Sequence, residues 1–109
     1  MITTELRRHP RIRCRLIVDR LGPTIDLSAG GLRVLSANPQ PRGAEVRLAF
    51  QLPESEETVL CHGCVSHVTQ SQIDKDLSEM GIQFQRMMTR NREAIELYVR
   101  QRAEEDARD

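Results

Sequence analysis

Aromatic residues are scarce in this 109-residue chain: it has no tryptophan, and Phe50, Phe84 and Tyr98 are its only phenylalanines and tyrosine. That argues against a single-stranded nucleic-acid binder, which needs aromatic platforms on which bases stack. Long apolar runs are also missing, and none approaches the ~20 residues of a membrane span. Met1 to Arg15 is too basic and too broken to form the apolar heart of a signal peptide, so a cytoplasmic chain away from the membrane is expected. Catalytic patterns are absent too. No Ser-His-Asp or Cys-His order stands out, no paired carboxylates flank a nucleophile, and His62 and His67, five apart on a strand, are expected on opposite faces. The reading is of a protein that is not an enzyme.

Cysteine is present but sparse. Cys14, Cys61 and Cys64 make an odd count, which in a cytoplasmic chain implies free thiols. Cys61-His62-Gly63-Cys64 followed by His67 invites a zinc or redox reading. The segment reads as a strand, however, and a separation of three sends the two thiols to opposite faces. Structural zinc sites want four ligands, usually from two such knuckles, and there is no second one. No metal and no cofactor are expected.

What the chain does have is charge with an uneven layout. Its formal net charge is zero, yet residues 1–50 hold nine arginines against four acids, and residues 51–109 hold seven basic residues against twelve acids. A uniform nucleic-acid surface is therefore unexpected. A local basic patch on the first half would suit a small dianionic ligand.

At this length the chain should form one domain over 1–109 with one modest core. Arg11 to Asp19 alternates loosely through Ile12, Cys14, Leu16 and Val18. Short strands follow at Thr24 to Leu27 and Leu32 to Ser36, then a loop from Asn38 to Gly43. Glu45 to Leu52 alternates strictly, with Val46, Leu48, Phe50 and Leu52 on one face. A long strand over Val59 to Val68, a polar loop over Gln70 to Ser78 and a closing strand Met80 to Phe84 complete the set. Short strands with turn signals between them predict a mostly all-β fold, a small six-stranded antiparallel β-barrel over 11–86. A C-terminal α-helix is predicted over 89–105, capped by Thr89 or Asn91, with Ile95, Tyr98, Val99 and Arg102 on one stripe. Glu104, Glu105 and Asp106 oppose its dipole and should fray its end. Residues 1–10 have no apolar pattern and read as a mobile arm.

Two segments carry chemistry. Arg7-Arg8-His9-Pro10-Arg11 places arginines at an R-x-x-x-R spacing. Fifteen residues beyond Arg11, Asp26-Leu27-Ser28-Ala29-Gly30-Gly31 reads D-x-S-x-x-G. Alone, the first fits a solvated tail and the second a plain tight turn. Their order and separation at the head of a small chain favour a joint role. The pair resembles the signature of the PilZ domain, the bacterial receptor module for cyclic diguanylate (c-di-GMP), and the strand and helix layout is similar over nearly the whole chain.

The residue types suit such a ligand. Arginine's planar fork meets phosphate oxygens bidentately and matches the O6/N7 edge of guanine. Asp26 can accept from the guanine N1–H and N2–H, and Ser28 can donate, accept or fix the loop. Gly30 and Gly31 allow positive φ and close approach of the ligand. The resemblance thus implies c-di-GMP contacts from Arg7, Arg11, Asp26, Ser28, Gly30 and Gly31, with Arg8 either touching or only screening the phosphates. It also implies that the residue before R-x-x-x-R influences stoichiometry; Leu6 stands there, and one dinucleotide per chain is expected. Some members set a bulky or cationic side chain on the strand facing the guanine, where this chain offers His62, Cys64 or Ser66. The implied role is a bacterial adaptor that relays c-di-GMP to an unidentified downstream protein by ordering its arm. The alternatives are a nucleotide-independent PilZ interaction protein of pilus assembly or motility, which usually lacks the arginines, and a small nucleic-acid-binding barrel.

Overall fold

A computed structural model describes residues 10–108, with the side chain of Arg108 left aside. Seven strands precede one helix: β1 (Arg11–Arg13), β2 (Ile17–Val18), β3 (Gly22–Ser28), β4 (Gly31–Ser36), β5 (Glu45–Gln51), β6 (Thr58–Gln70), β7 (Ser78–Met87) and α1 (Thr89–Arg108). All pairings are antiparallel, in the order β1-β3-β4-β7-β6-β5, with β2 also on β3. The sheet curls into a half-barrel. Its far edge comes back to its start, where the Asp19 N–H donates to the Ala49 carbonyl at 2.9 Å.

Seven strands rather than six arise because the predicted Arg11–Asp19 strand is broken. Thr24 is the cause. Its buried hydroxyl donates to the Cys14 carbonyl at 2.7 Å and accepts from the Leu16 N–H at 2.8 Å, replacing ladder bonds with side-chain ones. On its other side, β3 shifts register against β4 between Thr24 and Asp26. Alternation survives the break: Ile12, Leu16 and Val18 are buried and Cys14 is half-buried.

The inner faces supply one core, with Leu27, Val34, Leu48, Val65, Met80 and Ile82 buried and Phe50 stacked on Phe84 at 6.4 Å between ring centroids. α1 closes it by burying Ile95 and Val99, one turn apart on the predicted stripe. Two boundary expectations change. The Met88 carbonyl accepts the first helical bond from the Arg92 N–H at 3.1 Å, so Met88 is the capping position and Thr89 and Asn91 lie inside the first turn. The helix also runs to Arg108, past 105. The dipole penalty of the acids is only ~0.3–1 kcal/mol, and Ala103 and Ala107 favour helix there.

α1 reaches the D-x-S-x-x-G turn and the end of β1. Arg92 Nη1 donates to the Ala29 carbonyl at 3.3 Å. Arg102 Nη2 donates to the Arg13 carbonyl at 3.1 Å, while its Nη1 donates to the Tyr98 hydroxyl at 2.9 Å. That last bond holds the Arg102 guanidinium more firmly protonated.

Candidate ligand site

The turn between β3 and β4 is built by Ser28. Its buried Oγ accepts the Gly30 and Gly31 N–H groups, both at 3.2 Å, an internal cap that a short hydroxyl side chain makes easily. The Gly30 carbonyl accepts from the Phe84 N–H at 2.9 Å and ties the turn to β7. Positive φ is not what the glycine pair provides, since the glycines with positive φ are Gly22 (130°) and Gly43 (91°). Gly31 serves close packing instead: a Cβ there would stand 2.3 Å from the Ile82 carbonyl oxygen.

Asp26 lies one strand in from the sheet edge and is buried. Its Oδ1 accepts from Arg11 Nη1 at 2.6 Å, and its Oδ2 accepts from Arg33 Nε at 2.7 Å, with Arg33 Nη2 at 2.6 Å. β-Pairing explains the convergence, because β1 and β4 flank β3 and Arg33 stands directly opposite Asp26. One buried carboxylate thus aligns two arginines. The hydrogen bond to Asp26 is the main cause of Arg33's raised pKa. Arg33 Nη1 continues the chain of charges to Glu79 Oε1 on β7, at 3.2 Å.

Arg11 and Arg33 both line a cleft of about 540 Å³. Ser28, Gly30 and Gly31 line it from the turn, Gln83 from β7 and Ser66 and His67 from β6. Of the sequence-predicted residues, Arg11, Ser28, Gly30 and Gly31 line this cleft, whereas Asp26 sits behind it holding the arginines. Arg7, Arg8 and Leu6 lie outside the described residues.

Three polar lining residues escaped the sequence reading. Arg33 belongs to neither motif, although its place opposite Asp26 follows from a tight β3–β4 hairpin. Gln83 carries no signal of its own. His67 was expected on the face opposite His62, yet both are exposed. The strand facing the cleft offers Ser66 and His67, not His62 or Cys64. A bulge is the reason: Val65 pairs with Ile82 and His67 with Gly81, leaving Ser66 as the extra residue. Strict alternation would turn His67 inward beside Val65; the bulge turns it out. Its ring rests on Gly81, where a Cβ would come within 2.1 Å of Cε1. Ser66 Oγ donates to the Gly81 carbonyl at 3.1 Å.

The thiols follow strand alternation. Cys61 is buried with Val59 and Val65, and Cys64 is half-buried on the other face. Among the described residues, no three His, Cys, Asp or Glu side chains are gathered to hold a metal ion. Burial pushes the Cys61 thiol up to about 11, outweighing the nearby Arg92 charge, and burial raises Cys14 as well. A thiol-reactive dye at pH 8 should therefore label Cys64 first and Cys61 slowest, because the thiolate is the nucleophile; mass spectrometry of the labelled peptides checks the order. The folded-state pKa of Cys61 lies above the ordinary 9.0. Its contribution to stability should be intact below pH 9 and fall away as pH climbs toward about 11.

The architecture is a curled antiparallel sheet with a C-terminal helix and an arginine-lined cleft at its β3–β4 turn. The sequence model of the PilZ domain matches residues 5–101, and the chain belongs to the PilZ family. No curated protein matches the sequence. Three solved structures share the fold. The Bacillus subtilis inhibitor of motility, MotI/DgrA, has a TM-score of 0.83 at 20% identity, covering 92% of this chain and 52% of its own. The K. pneumonia MrkH–c-di-GMP complex has 0.74 at 20%, covering 96% and 56%. Escherichia coli YcgR in complex with c-di-GMP has 0.70 at 16%, covering 93% and 49%. This chain spans about half the length of each. No helix among the described residues is long and apolar enough to cross a membrane.

Proposed function

We propose that this chain is a c-di-GMP receptor that catalyses nothing and passes the signal to a protein partner. The observation that carries the reading is the pair of arginines, Arg11 and Arg33, aligned by one buried carboxylate along a cleft of about 540 Å³. Two positive forks facing one cavity suit a ligand with two phosphates and two guanines. Membership in the PilZ family supports the same ligand. So do the complexes of MrkH and YcgR with c-di-GMP. The exposed His67 ring lining the cleft gives a guanine a surface to lie against.

Arg7 and Arg8 would add charge from the arm, and Leu6, which can offer only apolar contact, favours one dinucleotide per chain. The signal then follows from ordering. The ligand supplies counter-charge to an arm of like charges and bridges it to the Asp26–Gly31 turn. α1 is wired to the turn through Arg92 and to β1, which follows the arm directly, through Arg102, so it is the element through which a partner would sense the change.

Calorimetric titration with c-di-GMP, GTP and a short RNA tests the reading. One c-di-GMP per chain should bind, with far weaker response to the others. Arg11→Ala should weaken binding by ~1.5–3 kcal/mol, the range for lost charge-assisted hydrogen bonds. Wild-type affinity in that variant, or equal affinity for RNA, would remove the assignment. Hydrogen exchange should slow from Leu6 to Ile12 on saturation, with smaller slowing in α1. Unchanged exchange in the arm would move the switch elsewhere.

A further inference from the structure

Arg33 divides its donors unequally. A guanidinium has five N–H groups. Nε and Nη2 close on Asp26 Oδ2 at 2.7 and 2.6 Å, while Nη1 reaches Glu79 Oε1 at 3.2 Å. Two N–H groups are left over. Arg33 lines the cleft with 38% of its side chain exposed, so those groups have a route to a ligand.

The two acids are not equivalent. Asp26 is 4% exposed, makes short double contact and also holds Arg11. Glu79 is 30% exposed, makes one longer contact and does not line the cleft. The first is a fixed mount, because removing a buried hydrogen-bonded charge is costly. The second is exchangeable, since a partly exposed ion pair is worth little and water can take its place. Glu79 also brings a negative charge up behind a cavity meant for an anion, and like charges brought together at a binding site disfavour the complex.

We infer that Arg33 is a ligand-contacting arginine of this cleft, and that Glu79 is a positioning residue that withholds one of its N–H groups from an incoming phosphate and so keeps affinity low. The inference rests on the reading of the cleft as the c-di-GMP site. Binding transfers Nη1 from the Glu79 carboxylate to a phosphate oxygen, while Nε and Nη2 stay on Asp26. Affinity is then set by a residue that touches no ligand atom.

The test is a set of binding isotherms for the full chain and its Glu79→Gln, Arg33→Ala and Arg33→Lys variants, with c-di-GMP and, separately, inorganic pyrophosphate. Thermal melts establish that each variant is folded. Glu79→Gln should bind c-di-GMP about two- to fivefold more tightly, the scale of one partly exposed charge interaction. Arg33→Ala should bind at least about tenfold more weakly, with a shallower dependence of log Kd on log salt. Arg33→Lys should recover only part of the loss, because an ammonium cannot hold Asp26 and a phosphate in one planar fork. A purely structural role for the Arg33–Glu79 pair predicts instead that both single losses weaken binding together. Glu79→Gln that binds equally or more weakly, or Arg33→Ala with wild-type affinity and salt slope, overturns the inference. If the wild type ignores c-di-GMP but pyrophosphate binding still rises in Glu79→Gln and falls in Arg33→Ala, the ligand reading fails and the inference stands. If neither ligand responds to the substitutions, the inference fails too.

Discussion

Gly31→Ala should lower the stability of this domain by about 3 kcal/mol or more, the upper end of what overpacking does in a filled interior. The added methyl would lie 2.3 Å from the Ile82 carbonyl oxygen, and that oxygen belongs to the backbone of a central strand. It cannot turn aside as a side chain could. Relief requires β4 and β7 to separate where they are best paired, from Gly31 opposite Gln83 to Ser36 opposite Ser78. Gly43→Ala is the informative control. Nothing lies within 4 Å of a Cβ there, so only its φ of 91° resists substitution, at ~1 kcal/mol. Urea unfolding of both variants checks the ordering; equal losses would mean that conformation rather than contact governs Gly31.

Asp26→Ala should cost about 2 kcal/mol of stability, from a buried charged hydrogen-bond partner lost to two arginines. The figure sits below the range for a fully buried pair because Arg11 and Arg33 are 29% and 38% exposed and water can reach both. What remains is two like charges on strands either side of an empty place. An added anion should therefore help the variant more than the parent: the melting temperature of Asp26→Ala should rise more steeply with sulfate or phosphate. Parallel responses in the two proteins would show that the arginines do not repel one another there.

Much of this architecture is legible in the chain because alternation is a local signal. β5 is the clearest case: Leu48 and Phe50, and Leu52 just beyond its end, are buried where the pattern puts them. What alternation cannot reveal is where a ladder is interrupted. Thr24 breaks the first strand through hydrogen bonds to Cys14 and Leu16, eight to ten residues away, and no nearby residue announces it. The bulge at Ser66 is equally silent, and it decides which histidine faces the cleft. Arg33 was hidden for a third reason. Its partner Asp26 is seven residues back and Glu79 forty-six ahead, so its role exists only once three strands are side by side. The helix start moved for a plainer one, since a backbone carbonyl at Met88 did the work expected of a capping side chain.

The turn at Ser28–Gly31 also bears on how such sequences are read across genomes. Its serine is consumed by two internal N–H groups, and its second glycine is demanded by the neighbouring carbonyl of Ile82. Neither requirement mentions a ligand. A lineage that gave up nucleotide binding would still be held to both, whereas its arginines and the aspartate that mounts them would be free to drift. The S-x-x-G half of the signature is therefore a marker of architecture. On the proposed reading, the R-x-x-x-R arm, the aspartate and the arginine two places after the glycines are the marker of chemistry. A survey that scores the two halves separately would sort retained receptors from relics that have kept only the shape.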